Sequence, residues 1–166
     1  MLCVGFQLLA PGALYAYEDQ ATLGVDVGYA HATAKGWPHS GAVLGIDASL
    51  GLDDIWTVRA FASYSLHPGS QALSMASLGA ELLYLVDILE WVPYFGAGAT
   101  ALGSWFDLAN GVELECGVHP VAGLDWLLSR DVALGLVVRP EFLITDWDRA
   151  PIYVTVALNA SLLLDL

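Results

Sequence analysis

Basic residues are scarce in this 166-residue chain: Lys35, Arg59, Arg130, Arg139 and Arg149 stand against 18 acids, for a formal charge of −13. With no basic patch to neutralise phosphates, nucleic acid is disfavoured as a partner. Cysteine is nearly absent as well. Cys3 and Cys116 could pair arithmetically, but Cys3 lies in a leader-like stretch, so we expect no intramolecular disulfide and no metal cluster. The third lack is an apolar run of about 18 residues. The longest uncharged stretch, Ala60 to Ala80, is broken by Ser63, Ser65, His67, Pro68, Gly69, Ser70 and Gln71, so a spanning helix is not expected. Yet 57% of the residues are hydrophobic, high for a soluble domain of this length. Membrane residence without spanning helices leaves strands.

The last sixteen residues carry that signal most plainly. Ile152, Val154, Val156, Leu158, Ala160, Leu162, Leu164 and Leu166 form one face, and Tyr153, Thr155, Ala157, Asn159, Ser161, Leu163 and Asp165 the other. A period of two is that of a strand, whose successive side chains point in opposite directions. Seven further segments repeat it: about 22–31, 42–52, 56–66, 74–86, 91–102, 112–127 and 132–145. Leu44, Ile46, Val58, Leu78, Leu134, Leu136, Val154 and Val156 fall on the apolar parity and are expected to face lipid. An open sheet edge cannot persist in lipid, so eight such strands predict a closed, all-β, eight-stranded antiparallel up-and-down transmembrane barrel. Pro93, Pro120 and Pro140 each remove a ladder donor, which predicts irregular or bulged pairing there.

Residues 1–16 read as the apolar core and end of a secretory signal, with cleavage after Ala16 ahead of Tyr17-Glu18-Asp19-Gln20. The barrel domain then occupies residues 17–166. A basic n-region is missing and Leu14 stands where a small residue is expected; a retained N-terminal helix is the alternative. Between the strands, Leu52 to Ile55, Asp87 to Glu90 and Ser129 to Asp131 are short turns. Ala32 to Gly41, Gly103 to Gly111 and Asp146 to Ala150 are longer or richer in Gly, Trp and charge, and His67 to Ala72 is intermediate. That alternation puts both termini on the periplasmic side. Trp56, Trp91 and Trp126 beside the short turns, with Tyr84 just above one, form an expected interfacial girdle, while Trp37, Trp105 and Trp147 belong to the outer loops.

Two runs, Trp91 to Thr100 (WVPYFGAGAT) and Val121 to Phe142 (VAGLDWLLSRDVALGLVVRPEF), together with the alternation over Ala21 to Leu166, resemble the small eight-stranded outer-membrane β-barrels related to outer membrane protein A. The resemblance implies fold and location rather than activity: an integral protein of a bacterial outer membrane, exported through the periplasm, with outer-membrane lipids and the barrel-assembly machinery as partners. The final residue of that family is usually aromatic and here is Leu166. The peptidoglycan-binding domain of the longer relatives has no room in this chain.

Chemical motifs are few. Gly96, Gly98 and Ala101 match a G-x-G-x-x-A dinucleotide fingerprint, but the period of two continues through Ala97 and Ala99 where a helix should start. Inner-face glycines making room for Tyr94, Phe61, Tyr153 and the arginines explain them better. His31, His39, His67 and His119, with Ser40, Ser65 and Ser70, raise the question of a rim hydrolase. Ser65 and His67 are the nearest pair, but no acid can be placed beside them, so solvated loop histidines are the simpler explanation. Glu113 and Glu115 read as a hydrated acidic rim, since a hard cation wants six or more oxygens. No catalytic, cofactor or metal residue is assigned.

Charge on the inner parity remains: Asp26, Asp47, Arg59, Glu81, Asp125, Arg139 and Glu141, with Glu113, Glu115 and Asp165 on the same faces. We expect Arg59 to centre a cluster that closes the lumen, flanked by Asp47 from the second strand and Glu81 from the fourth. An eight-stranded interior is just wide enough to be filled by side chains. The expected role is therefore structural or surface-interactive, carried by loops whose ligand the sequence does not name. The rivals are a lipid-modifying enzyme, which needs His, Ser and acid at the rim, a narrow ion or small-solute channel, and a soluble lipocalin-like barrel with its apolar faces inside.

Overall fold

A computed structural model describes residues 20–33, 37–86, 90–106, 111–145 and 152–165. The leader assigned to residues 1–16 and Trp147 lie outside them. Eight strands follow in order: β1 (Gln20–Ala32), β2 (Ser40–Gly51), β3 (Trp56–His67), β4 (Leu73–Leu85), β5 (Trp91–Trp105), β6 (Glu113–Leu127), β7 (Val132–Leu143) and β8 (Ile152–Asp165). Each pairs antiparallel with its sequence neighbour, and β1 pairs with β8, so the sheet closes into an up-and-down barrel without an edge.

The period of two sorts the side chains as expected. Leu44, Ile46, Val58, Leu78, Leu134, Leu136 and Val156 are exposed on the outer wall, while Phe61, Leu83, Val92 and Val137 are buried inside. This is the reverse of a soluble barrel, whose apolar face is its core. At the end that holds Gln20 and Asp165, sequence chemistry tightens the turns. Asp53 Oδ1 accepts the N–H groups of Ile55 (2.9 Å) and Trp56 (2.7 Å), an Asx arrangement that reverses the chain within a few residues. Ser129 Oγ accepts Asp131 N–H in the same way at 3.3 Å.

Aromatic rings mark both ends of the apolar band. Near the short turns Trp91 stacks on Trp126 (5.5 Å), Trp56 meets Tyr84 edge-on (5.3 Å) and Tyr84 meets Phe95 (5.2 Å). Toward the loops Tyr64 and Trp105 lie 6.2 Å apart. Trp105 ends β5 rather than sitting in a loop, because that strand runs past the expected Leu102. Trp37 is half-buried against the apolar residues at the loop end of the lumen. From Trp56 to Tyr64 the outer wall spans about 26 Å along the strand, or roughly 20 Å along the axis at a tilt near 40°, close to the height of a lipid-facing band.

The prolines produce a gap and no bulge. The β6–β7 register is the same on both sides of a break between Val118↔Phe142 and Ala122↔Val138. No residue is inserted; Pro120 and Pro140 fall opposite each other at its centre, and the two missing donors remove the bonds that would close that rung. Pro93 lies where the β4–β5 ladder ends, its carbonyl accepting Val86 N–H at 2.8 Å.

Candidate functional site

Among the described residues the lumen is the interior of the fold, and its side chains fall into three levels. Uppermost, toward the loops, is an apolar layer of Ala30, Ala32, Val43, Leu73, Met75, Leu102, Leu143 and Tyr153. Beneath it lies a charged layer, and beneath that a vestibule at the short-turn end. The charged layer follows from the register. Arg59 on β3 pairs directly with Glu81 on β4, with both side chains on the inner parity. Arg59 Nε donates to Glu81 Oε2 at 2.6 Å and Nη2 approaches the same oxygen at 2.5 Å. Arg139 Nε donates to Glu81 Oε1 at 2.6 Å, and His119 Nε2 reaches that oxygen at 3.1 Å. A neutral His119 protonated at Nε2 satisfies both its contacts, since Nδ1 then accepts the Thr100 hydroxyl at 3.1 Å.

The cluster continues across the barrel. Arg139 Nη1 lies 3.5 Å from Asp26 Oδ2, and Asn159 Nδ2 donates to both Asp26 Oδ1 (2.9 Å) and Asp47 Oδ2 (2.8 Å). Arg59 Nη1 donates to Tyr94 Oη at 3.3 Å and its guanidinium stands 5.1 Å from that ring's centre. Arg139 lies 4.7 Å over Phe61. Guanidinium planes stack well on aromatic faces, so the two rings wall the charges in.

The sequence expectation needs three corrections. Glu81, not Arg59, is the hub. Asp47 pairs with Phe61, and Ser49 takes the place opposite Arg59. The Asp53 turn explains the slip: with residues 52–55 in the turn, pairing begins at Gly51↔Thr57, and Asp47 moves to the carboxamide of Asn159. Finally, Glu141 and Asp125 stay outside the hydrogen-bonded cluster: Glu141 Oε2 and Asp125 Oδ1 are buried without hydrogen-bond partners. His119, Asn159, Tyr94 and Thr100 join it; His119, grouped by the sequence with the solvated loop histidines, is instead 2% exposed inside the barrel.

Room for these groups comes from glycine. A Cβ on Gly123 would meet Tyr94 Cζ at 2.2 Å, and one on Gly79 would meet Phe61 Cζ at 2.5 Å. Gly96 and Gly98 of the fingerprint-like run lie within β5 and open no helix. Ser65 and His67 do come together, Oγ to Nε2 at 3.2 Å, and Tyr153 Oη donates to Ser65 Oγ at 2.7 Å. All three are at most 2% exposed, on the inner face at the level of the apolar layer, with His67 opposite Leu73 and Ser65 opposite Met75, rather than open to lipid. His67 is thus no solvated loop histidine. His31 and His39 stack at 5.8 Å near the loops, with His31 Nδ1 3.2 Å from Tyr29 Oη and Tyr29 Oη 2.8 Å from Ser40 Oγ. Glu113 is exposed and Glu115 buried.

No protein-family model and no curated protein matches this chain. Solved structures do. Neisserial surface protein A superposes with a TM-score of 0.71 at 16% identity, covering 88% of this chain and 97% of that one. Ail, the attachment invasion locus protein of Yersinia pestis, gives 0.60 at 12% identity, over 89% of this chain and 99% of its own. The N-terminal β-barrel domain of Pseudomonas aeruginosa OprF gives 0.58 at 13%, covering 89% and 98%. Strand number, order, closure and an outward apolar face agree with these likenesses: the chain has the fold of the small eight-stranded outer-membrane β-barrels.

Proposed function

We propose that this chain is an integral outer-membrane barrel with a structural or surface-interaction role, its loops being the working part and its lumen a filled strut. The observation that carries this reading is the two-level obstruction of the interior, an apolar layer above a charge layer tied together by Glu81. A path for solutes would have to disrupt both. The outer wall, apolar between two aromatic belts, suits lipid as its solvent and the barrel-assembly machinery as its route of insertion. Export through the periplasm follows from the same reading. Two structural neighbours are described as a surface protein and an attachment invasion locus protein, which supports a loop-borne role on the cell surface. The Ser65–His67 pair favours no enzymatic reading, because an acyl chain in the membrane has no access to a side chain inside the barrel.

The test is cell fractionation combined with surface proteolysis. A protease site inserted between Gly69 and Ser70, which are exposed in the β3–β4 loop, should be cut in intact cells whose tagged protein sediments with outer membranes. Recovery in the soluble fraction, or cutting only after lysis, contradicts the proposal.

A further inference from the structure

The loop-side ends of β1 and β2 carry two imidazoles close together. His31 pairs with Ser40, and Ala32 N–H donates to the carbonyl of His39 at 2.9 Å. The two ring centres lie 5.8 Å apart, with planes inclined by 25°. The His31↔Ser40 pair stands two outward rungs beyond the row Val27↔Leu44↔Tyr64, where Tyr64 meets Trp105 in the loop-side aromatic belt. Both rings therefore lie on the aqueous side of that belt, His39 exposed and His31 half-buried.

Hydrogen bonding decides what each ring offers. His39 Nδ1 is 2.8 Å from the Ala32 carbonyl, which can only accept, so in the neutral ring Nδ1 carries the proton and Nε2 keeps its lone pair. His31 Nδ1 is 3.2 Å from Tyr29 Oη, which is itself 2.8 Å from Ser40 Oγ. With Nδ1–H donating to Tyr29 and Tyr29 donating to Ser40, Nε2 of His31 is left as an acceptor too. A ring anchored through one nitrogen, with the lone pair of the other free, is how histidine is held as a metal ligand. The spacing suits a single ion. With metal–nitrogen bonds of about 2.0–2.1 Å, and each nitrogen roughly 1.2 Å from its ring centre, two imidazoles on one ion have centres about 5.3 Å apart at a tetrahedral angle and about 6.5 Å apart when trans. The observed separation falls between these limits. No carboxylate joins the pair, and among the described residues no group of three His, Cys, Asp or Glu is placed to hold a metal. A hard ion such as calcium wants six or more oxygens, whereas imidazole suits zinc, nickel and copper. We propose that Nε2 of His31 and Nε2 of His39 bind one divalent transition-metal ion of that class at the loop rim, water completing its coordination, with Ala32 and Tyr29 holding the rings in the ligating orientation.

The probe is Zn(II) alone, titrated into the folded full chain in non-ionic detergent while NMR follows the ring C–H signals of the histidines. His119, buried in the barrel, is the internal control and Ca(II) the hard-ion control. The His31 and His39 signals are expected to move together and to saturate at one ion per chain, with His119 unmoved and Ca(II) without effect. His31→Gln and His39→Gln should each weaken Zn(II) at least tenfold. Retained heat-modifiable gel mobility identifies folded variants, and the exposed His39 supplies the deciding one if His31→Gln does not fold. No saturable response, movement of one ring alone, saturation at one ion per two chains, an equal response to Ca(II), or unchanged affinity in the folded His39→Gln variant overturns the proposal.

Discussion

Glu81 holds two guanidiniums and an imidazole with one carboxylate, Arg59 on Oε2 and Arg139 with His119 on Oε1. Glu81→Gln leaves two arginines buried beside a neutral amide. Breaking a buried pair from one side typically costs about 3–5 kcal/mol, so urea unfolding in lipid vesicles should show a loss of that size. Replacing Arg59, Glu81 and Arg139 together by Met should recover part of it, because no unpaired charge then remains among the three. A loss below about 1 kcal/mol in the single variant would show that water, not the arginines, satisfies Glu81. Gly123→Ala tests the space beneath Tyr94, whose Cζ and Oη lie 2.2 and 2.3 Å from the new Cβ position, with the Leu136 carbonyl at 2.7 Å. Overpacking of this kind costs about 1–3 kcal/mol, and a wild-type urea midpoint would rule the clash out. The Arg59–Glu81 pairing was legible because the Gly69-Ser70 loop sets the β3–β4 register. Asp47 was assigned the right face and the wrong partner: parity survives a slip of two residues, whereas a partner does not.

Strands were the most legible feature, since period two persists wherever one face meets lipid and the other a polar lumen. Their loop-side ends were not. Leu73, Met75, Leu102 and Leu143 point inward and are as apolar as their outward neighbours, so the alternation fades where the upper plug lies. The β6–β7 seam was legible in its cause but not in its form, because the prolines Pro120 and Pro140 reveal lost donors but not that they share a rung. Pro120→Val with Pro140→Val restores two donors across the gap. At about 0.5–1.5 kcal/mol per hydrogen bond, the double variant should unfold at higher urea than the parent, and each single variant should gain less than half as much. Equal gains from the singles would mean that the seam is not the reason. On the outer wall, Leu136 pairs with Leu124 and Leu158, one outward rung inside the Trp126↔Leu134 pair of the short-turn belt. Leu136→Arg should cost roughly 2–4 kcal/mol in vesicles if it sits near the midplane. A penalty near zero would reverse the assignment of inside and outside.

At the scale of the whole molecule, closure fixes most of what the chain can do. Eight strands leave an interior that side chains fill, and the sequence supplies an apolar layer, a charge layer and a vestibule in turn. The charged middle was readable from inward parity. The apolar upper layer was not, and it changes the nature of the obstruction, because a wet charge cluster can leak whereas a packed apolar layer excludes ions. The loops then remain as the surface open to other molecules. The most direct measurement is single-channel recording of the purified, refolded protein in planar bilayers. The wild-type chain should give no stable unitary conductance, and a variant with Leu73, Met75, Leu102, Arg59 and Glu81 all replaced by Ala should give steady steps. Steady steps from the wild type, at a level the variant leaves unchanged, would contradict a filled lumen.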